Sequence, residues 1–170
     1  AVGGTPTEAW IPLGALSDDP NLKGLVAGNW LDNELLGDFC RSRGEQNLLA
    51  AMQSGEKIPG DSGGPNHSFK PGFMWSAGIE PLIPFAIRGA VWYQGESNAE
   101  TSARVLQHQR LFPLLVQQWR ARWRQGEFPF LFVQLPALDR QQWPWFRDSQ
   151  RRMLKQLPGI GMAVSIDTGH

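Results

Sequence analysis

Ile87-Arg88-Gly89-Ala90-Val91-Trp92-Tyr93-Gln94-Gly95-Glu96-Ser97-Asn98-Ala99 is an apolar run that gives way at once to amides, a carboxylate and a glycine. Ile87 to Tyr93 reads as a short buried strand, and Gly95 breaks it. Two further runs have the same character. Phe128 to Leu135 has Pro129 at its entry and Pro136 at its exit, and Met162 to Ile166 follows the turn residues Pro158, Gly159 and Gly161.

Between the first two strands the spacing predicts a helix over about 102–124. Val105, Leu111, Phe112, Leu115, Trp119 and Trp123 form its buried stripe, whereas Leu106, Gln109, Pro113, Val116 and Arg120 fall off it. Pro113 is expected to kink this helix or split it. A second helix is expected over about 145–157. Strand, helix, strand, helix, strand is the order of βαβ units, so the sequence predicts an α/β fold, three-layered around a parallel sheet. Ligands of such sheets sit beyond the carboxyl ends of the strands, which points to the turns after Tyr93 and Leu135 and to the end after Ile166.

Residues 17–73 differ. They are rich in Gly, Asp, Asn and Pro with one helix expected around Glu45 to Ser54, and they read as a long, partly mobile surface excursion. Within them, Gly60-Asp61-Ser62-Gly63-Gly64-Pro65 matches the string around the nucleophile of chymotrypsin-like proteases. That chemistry needs a His upstream of the serine, and the three histidines are His67, His108 and His170. The string is ordinary turn chemistry.

A chain of 170 residues with 41% hydrophobic and 19% charged residues fits one globular domain. The formal net charge is zero, so nothing in the charge balance calls for nucleic acid. The basic clusters at Arg104 to Arg124 and Arg147 to Lys155 carry helical spacing and are expected on solvated faces. Cys40 is the sole cysteine, which excludes an internal disulfide and fits a buried, idle thiol. No apolar run approaches the ~20 residues that span a bilayer. No plausible cluster of His and carboxylates supports a metal site, and no Gly-rich strand-to-helix loop supports a nucleotide cofactor. Trp10, Trp75 and Trp92 are candidates for sugar-stacking faces, since most of the 18 aromatic residues must be core. His67 and His108 read as surface residues.

Trp92-Tyr93-Gln94-Gly95-Glu96-Ser97-Asn98-Ala99 resembles the third conserved block of sialate O-acetylesterases and related acetylxylan esterases, a branch of the SGNH hydrolases. Gly3-Gly4-Thr5-Pro6-Thr7-Glu8-Ala9-Trp10 resembles their second block, and residues 85–89, 128–135 and 161–167 resemble intervening elements. The similarity extends over everything except the excursion. It implies a flavodoxin-like domain, incomplete at both ends, acting on acetylated sugars, with sialic acid and xylan esters both open. It also implies a secreted or periplasmic setting. In that chemistry a serine attacks the acetyl carbonyl, a His takes its proton, an Asp orients the His, and preorganised donors hold the oxyanion.

The resemblance assigns Gly3 or Gly4 N–H as one donor, and the side chain of Gln94 or Asn98 as another, with Gln94 preferred. Glu96 either holds its loop or touches substrate. The family's Gly-Gln-Ser-Asn-like nucleophile turn is found nowhere in the 170 residues, so the chain is expected to be a piece of an esterase that lacks its own nucleophile. Asp167 and His170 have the Asp-x-x-His spacing of a catalytic pair, although Asp167 falls at the strand end and fits the floor of the site better. An unpaired sheet edge and self-association are expected with the missing strand. The competing reading is a non-catalytic carbohydrate-binding or structural module derived from such an enzyme.

Overall fold

The computed structural model describes residues 2–167. In chain order its regular elements are α1 (Leu13–Asp18), α2 (Asp38–Gln53), β1 (Gly60–Asp61), β2 (Gly64–Pro65), β3 (Ala90–Trp92), α3 (Ser102–Trp123), β4 (Phe130–Gln134), α4 (Trp143–Met153) and β5 (Ile160–Val164), joined by loops and short 3-10 and π turns.

Strands β3, β4 and β5 form the parallel sheet in that order, with Ala90 opposite Phe130 and Phe130 opposite Ile160. Both crossovers step the same way across the sheet. Right-handed βαβ connections therefore place α3 and α4 on one face, where His108 of α3 meets Phe146 of α4 with ring centres 4.5 Å apart. That face carries Trp92, Phe130 and Phe132. They meet Phe112 and Trp119 of α3, with Phe112–Phe132 at 5.0 Å and Trp119–Phe130 at 5.7 Å. Each fully buried ring of this kind contributes on the order of 1.5–3 kcal/mol. The opposite face is bare among the described residues: Val91 is 80% exposed and Leu131 49%. Among the described residues β3 and β5 each pair on one side only.

The three strands, both helices and the parallel order are those expected from the sequence, with strand ends shifted by one to three residues. Helix α3 does not break at Pro113. It is capped by Thr101, whose side chain accepts from the Arg104 N–H at 3.2 Å, and runs unbroken from Ser102 to Trp123. A proline inside a helix costs about 3 kcal/mol, and the buried residues on both sides of it offset that. Val116, expected off the core face, is fully buried. So are Arg104 and His108, both expected at the surface.

The excursion is the larger correction. Leu22, Leu25, Trp30, Leu36, Cys40, Leu48 and Phe69 are buried in the same cluster as Phe130 and Phe132. The segment is thus a packed layer with irregular backbone, not a loop laid over the surface. Its helix α2 begins seven residues before the expected start. Gly60 to Pro65 form the β1–β2 hairpin, whose Asp61 carboxylate accepts from the Gly63 N–H and from buried Lys70, both at 2.7 Å. The turn reading of that string stands. Trp75 and Trp92 are core residues and cannot stack on a sugar. Trp10 is half-buried against Trp92, its Nε1 donating to Thr5 Oγ1 at 2.9 Å. His67 is half-buried and stacked on Trp30.

Candidate active-site cleft

Two segments some ninety residues apart in sequence meet at the carboxyl end of β3. The first is Gly3-Gly4-Thr5 and the 3-10 turn Thr7–Trp10; the second is Gln94 and the 3-10 turn Glu96–Asn98. Gly95 lets the chain turn off the strand. Its φ is +154°, and the ring of Phe146 occupies the space a side chain would need. Gly4 has φ +73°, and a Cβ there would come within 3.4 Å of the Phe39 ring.

Side-chain amides lock the two segments together. Gln94 Nε2 donates to the Thr5 carbonyl at 3.0 Å and to Asn98 Oδ1 at 2.6 Å. Asn98 Oδ1 also accepts from the Thr7 N–H at 2.9 Å, and Asn98 Nδ2 donates to Glu8 Oε2 at 3.0 Å. Thr7 Oγ1 donates toward Gln94 Oε1 at 2.7 Å. The other oxygen of Glu8 pairs with Arg104 of α3, and both side chains are buried. Ser97 Oγ donates to the Gly4 carbonyl at 2.6 Å. Buried polar groups are tolerable when they satisfy one another, and apart from Arg104 Nε these side chains find partners while fixing the Gly3–Gly4 turn against the strand end.

Above this network lies an open cleft of about 580 Å³, lined by Gly3, Gly4, Tyr93, Gln94, Glu96, Glu100, Arg140 and their neighbours. It occupies the place that parallel sheets reserve for ligands. The Gly3 and Gly4 N–H groups face no hydrogen-bond acceptor among the described residues. The Glu96 side chain is exposed and makes no hydrogen bond or ion pair among the described residues; only its backbone carbonyl takes part in the turn, accepting from the Ala99 N–H at 3.2 Å. Glu100 is committed through one oxygen: its Oε1 accepts from the Phe39 N–H at 2.8 Å, at the start of α2, while its Oε2 is buried without a partner among the described residues. A carboxylate at a helix amino terminus is favourably placed.

Of the residues singled out in the sequence, Gly3, Gly4, Gln94 and Glu96 therefore share one cleft. Asn98 does not reach it; the residue is 0% exposed, below the floor, with its amide bonded to Glu8. Asp167 is exposed just past β5 and does not line the cleft, and His170 lies outside the described residues. The residues the sequence reading missed are Thr7, Glu8 and Arg104. Arg104 is in phase with His108, Leu111 and Leu115 on the buried stripe, and that phase was the available signal.

Burial pushes the Cys40 thiol up to about 12, with the nearby Glu8 carboxylate adding to the rise, so it is no nucleophile at neutral pH. Ser97 and Ser165 both donate to backbone carbonyls. Among the described residues no group of three or more His, Cys, Asp or Glu side chains is placed to hold a metal ion, and no helix is long and apolar enough to cross a membrane.

Residues 7–170 match the family model described as carbohydrate esterase, sialic acid-specific acetylesterase. Human sialate O-acetylesterase is 32% identical over 123 residues, covering 67% of this chain and 22% of that protein. The rat sialate O-acetylesterase is 31% identical over 146 residues, 79% of this chain and 25% of that protein. The crystal structure of a carbohydrate acetylesterase from Xanthomonas citri superposes with a TM-score of 0.64 at 27% identity, over 99% of this chain and 29% of that one. The chain thus spans about a quarter of the length of the relatives it matches. It belongs to the sialic acid-specific acetylesterase family of carbohydrate esterases.

Proposed function

We propose that the cleft is the acyl-binding side of an O-acetylesterase site that removes acetyl groups from sugars such as sialic acid or acetylated xylan. The observation that carries this reading is the pair of unclaimed N–H groups of Gly3 and Gly4 beside Gln94 at the carboxyl end of β3. An ester carbonyl that becomes tetrahedral develops a negative oxygen, and such donors stabilise it without reorganising. Gln94 and Asn98 have their amide hydrogens engaged in the network, so they act as positioning residues that hold the glycine turn in place. The Glu96 carboxylate, without a partner among the described residues, is the group that accepts from sugar hydroxyls.

The attacking serine and its His are inferred to come from outside these 170 residues. Ser97 is not placed as a nucleophile, because its buried hydroxyl donates to the Gly4 carbonyl at 2.6 Å. Acetate release from O-acetylated sialic acid tests the reading. The chain alone is expected to show no turnover sensitive to a serine-directed inhibitor, whereas a longer protein that contains it does. In that protein Gln94→Ala lowers kcat by more than tenfold, since the Gly3–Gly4 turn it positions loses its alignment and an oxyanion donor lost in this way costs on the order of 10²–10³. Inhibitor-sensitive turnover by the chain alone would overturn the external nucleophile. Absence of acetate release from any protein that contains the chain would overturn the esterase itself.

A further inference from the structure

Gly4 is gripped through both its carbonyl and its bare α-carbon. The carbonyl accepts from Ser97 Oγ at 2.6 Å; a Cβ on the α-carbon would meet the edge of the Phe39 ring at 3.4 Å and that of the Phe69 ring at 3.5 Å. Phe39 lines the cleft and is 44% exposed, so part of its ring packs on the glycine turn and part faces the opening. Its place is fixed from two directions. Its N–H donates to Glu100 Oε1 at 2.8 Å, and its ring leans on buried Phe69 with centres 6.0 Å apart. Phe69 is itself backed by the His67 ring at 4.6 Å. Gly37 lets Glu100 come this close, since a side chain there would collide with Glu100 Oε2. Glu96 and Arg140 line the same cleft with polar groups.

We propose that Phe39 sets the acyl length this cleft accepts and that Glu100 positions it; this rests on the esterase reading of the cleft. An ester has two unlike ends. The hydroxyl-bearing alcohol matches Glu96 and Arg140, and the acyl chain matches the apolar ring. With the carbonyl oxygen about 3 Å from the Gly4 N–H, the acyl chain begins beside the ring edge. Each further methylene extends it by about 1.3 Å. A butyryl chain therefore runs into a ring that Phe69 and Glu100 keep from retreating, whereas an acetyl group stops short of it.

The test uses a longer protein that contains the chain, with kcat/KM measured on the p-nitrophenyl esters of acetate, propionate and butyrate. The native protein is expected to favour acetate. Phe39→Ala is expected to raise the butyrate-to-acetate ratio at least about tenfold, since a methylene that fits or fails to fit an apolar pocket is worth about 10–200-fold. Phe39→Trp fills more of the same space and lowers the propionate-to-acetate ratio, so one variant decides where the other does not fold. Glu100→Ala raises the butyrate-to-acetate ratio in the same sense but less. Glu100→Gln keeps an acceptor for the Phe39 N–H and retains the native ratio; a purely structural Glu100 would lower all three rates in proportion. Acetate turnover with no preference over butyrate, or with ratios that the Phe39 variants do not move, overturns the proposal and keeps the esterase reading. No turnover of the acetate ester removes the esterase reading and the acyl wall with it.

Discussion

Helix α3 grips the amino-terminal part of the chain twice, by ion pairs six residues apart in sequence and opposite in surroundings. Arg104 meets Glu8 with both side chains out of contact with water, and Glu8 passes the contact on to Asn98 and thence to Gln94. Arg110 meets Asp19 at 2.7 Å, its side chain 51% exposed and that of Asp19 14%. Geometry alone makes the two look equivalent. Their surroundings do not. The buried pair has no water to fall back on and stands under the cleft; the other is screened and ends at the surface.

The comparison breaks most visibly at Arg104. Arg104→Met fills a similar volume but leaves the Glu8 carboxylate buried without its partner, which is expected to cost about 3–5 kcal/mol of stability in denaturant unfolding. Adding Glu8→Gln to that variant removes the stranded charge and keeps an acceptor for Asn98, so a substantial part of the loss returns. If the double variant is no more stable than Arg104→Met, the ion pair is not what holds this site.

How much of this was legible beforehand depends on whether the determinants are local. The strands were readable because short apolar runs bounded by Gly and Pro carry their own signal, and so was the turn Gln94 to Asn98 that follows one of them. Helix α2 begins earlier than its local sequence predicts because its start is capped from a distance, by Glu100 at 61 residues' separation. The excursion was read as surface because Leu22, Leu25, Trp30, Leu36 and Phe69 recur with no period; they anchor turns singly, and periodicity has nothing to detect. Residue type predicts Arg104 and His108 in water, whereas their phase on the buried stripe places them inside. The Glu8–Arg104 pair joins positions 96 apart and was beyond any local reading.

His108 sharpens the comparison, since it lies between the two arginines on α3. Neither ring nitrogen has a hydrogen-bond partner, and the ring packs on Phe146 and Phe112. Burial, reinforced by the Arg104 charge, pushes it down to about 3 from an ordinary 6.5. The folded state therefore refuses a proton that the unfolded chain accepts below pH 6.5. The resulting stability is full above that pH and is lost at about 1.4 kcal/mol per unit as pH falls toward 3. At pH 5 the loss is about 2 kcal/mol. His108→Leu removes no hydrogen bond, so it should match the native protein at pH 7 and exceed it at pH 5 by about that amount. Parallel pH profiles for the two proteins would show that the ring does not stay neutral.

The smallest effect belongs to the exposed grip. Burial tends to raise the Asp19 carboxyl, but the Arg110 hydrogen bond and the backbone N–H groups of Asn21 and Leu22 outweigh it and hold the group below its ordinary value. A lowered carboxyl contributes stability that is present above its unfolded pKa and fades as pH falls through the folded one. Arg110→Ala removes the side-chain part of that and leaves the backbone part, so the expected loss at neutral pH is under about 1 kcal/mol. Salt separates the two grips. Near 1 M the Debye length shrinks to about 3 Å, and the difference between Arg110→Ala and the native protein should close, while the Arg104→Met deficit stays. A deficit at Arg110 that persisted in high salt would mean that the stem of this arginine packs against its neighbours, and that α3 is held there by apolar contact instead of charge.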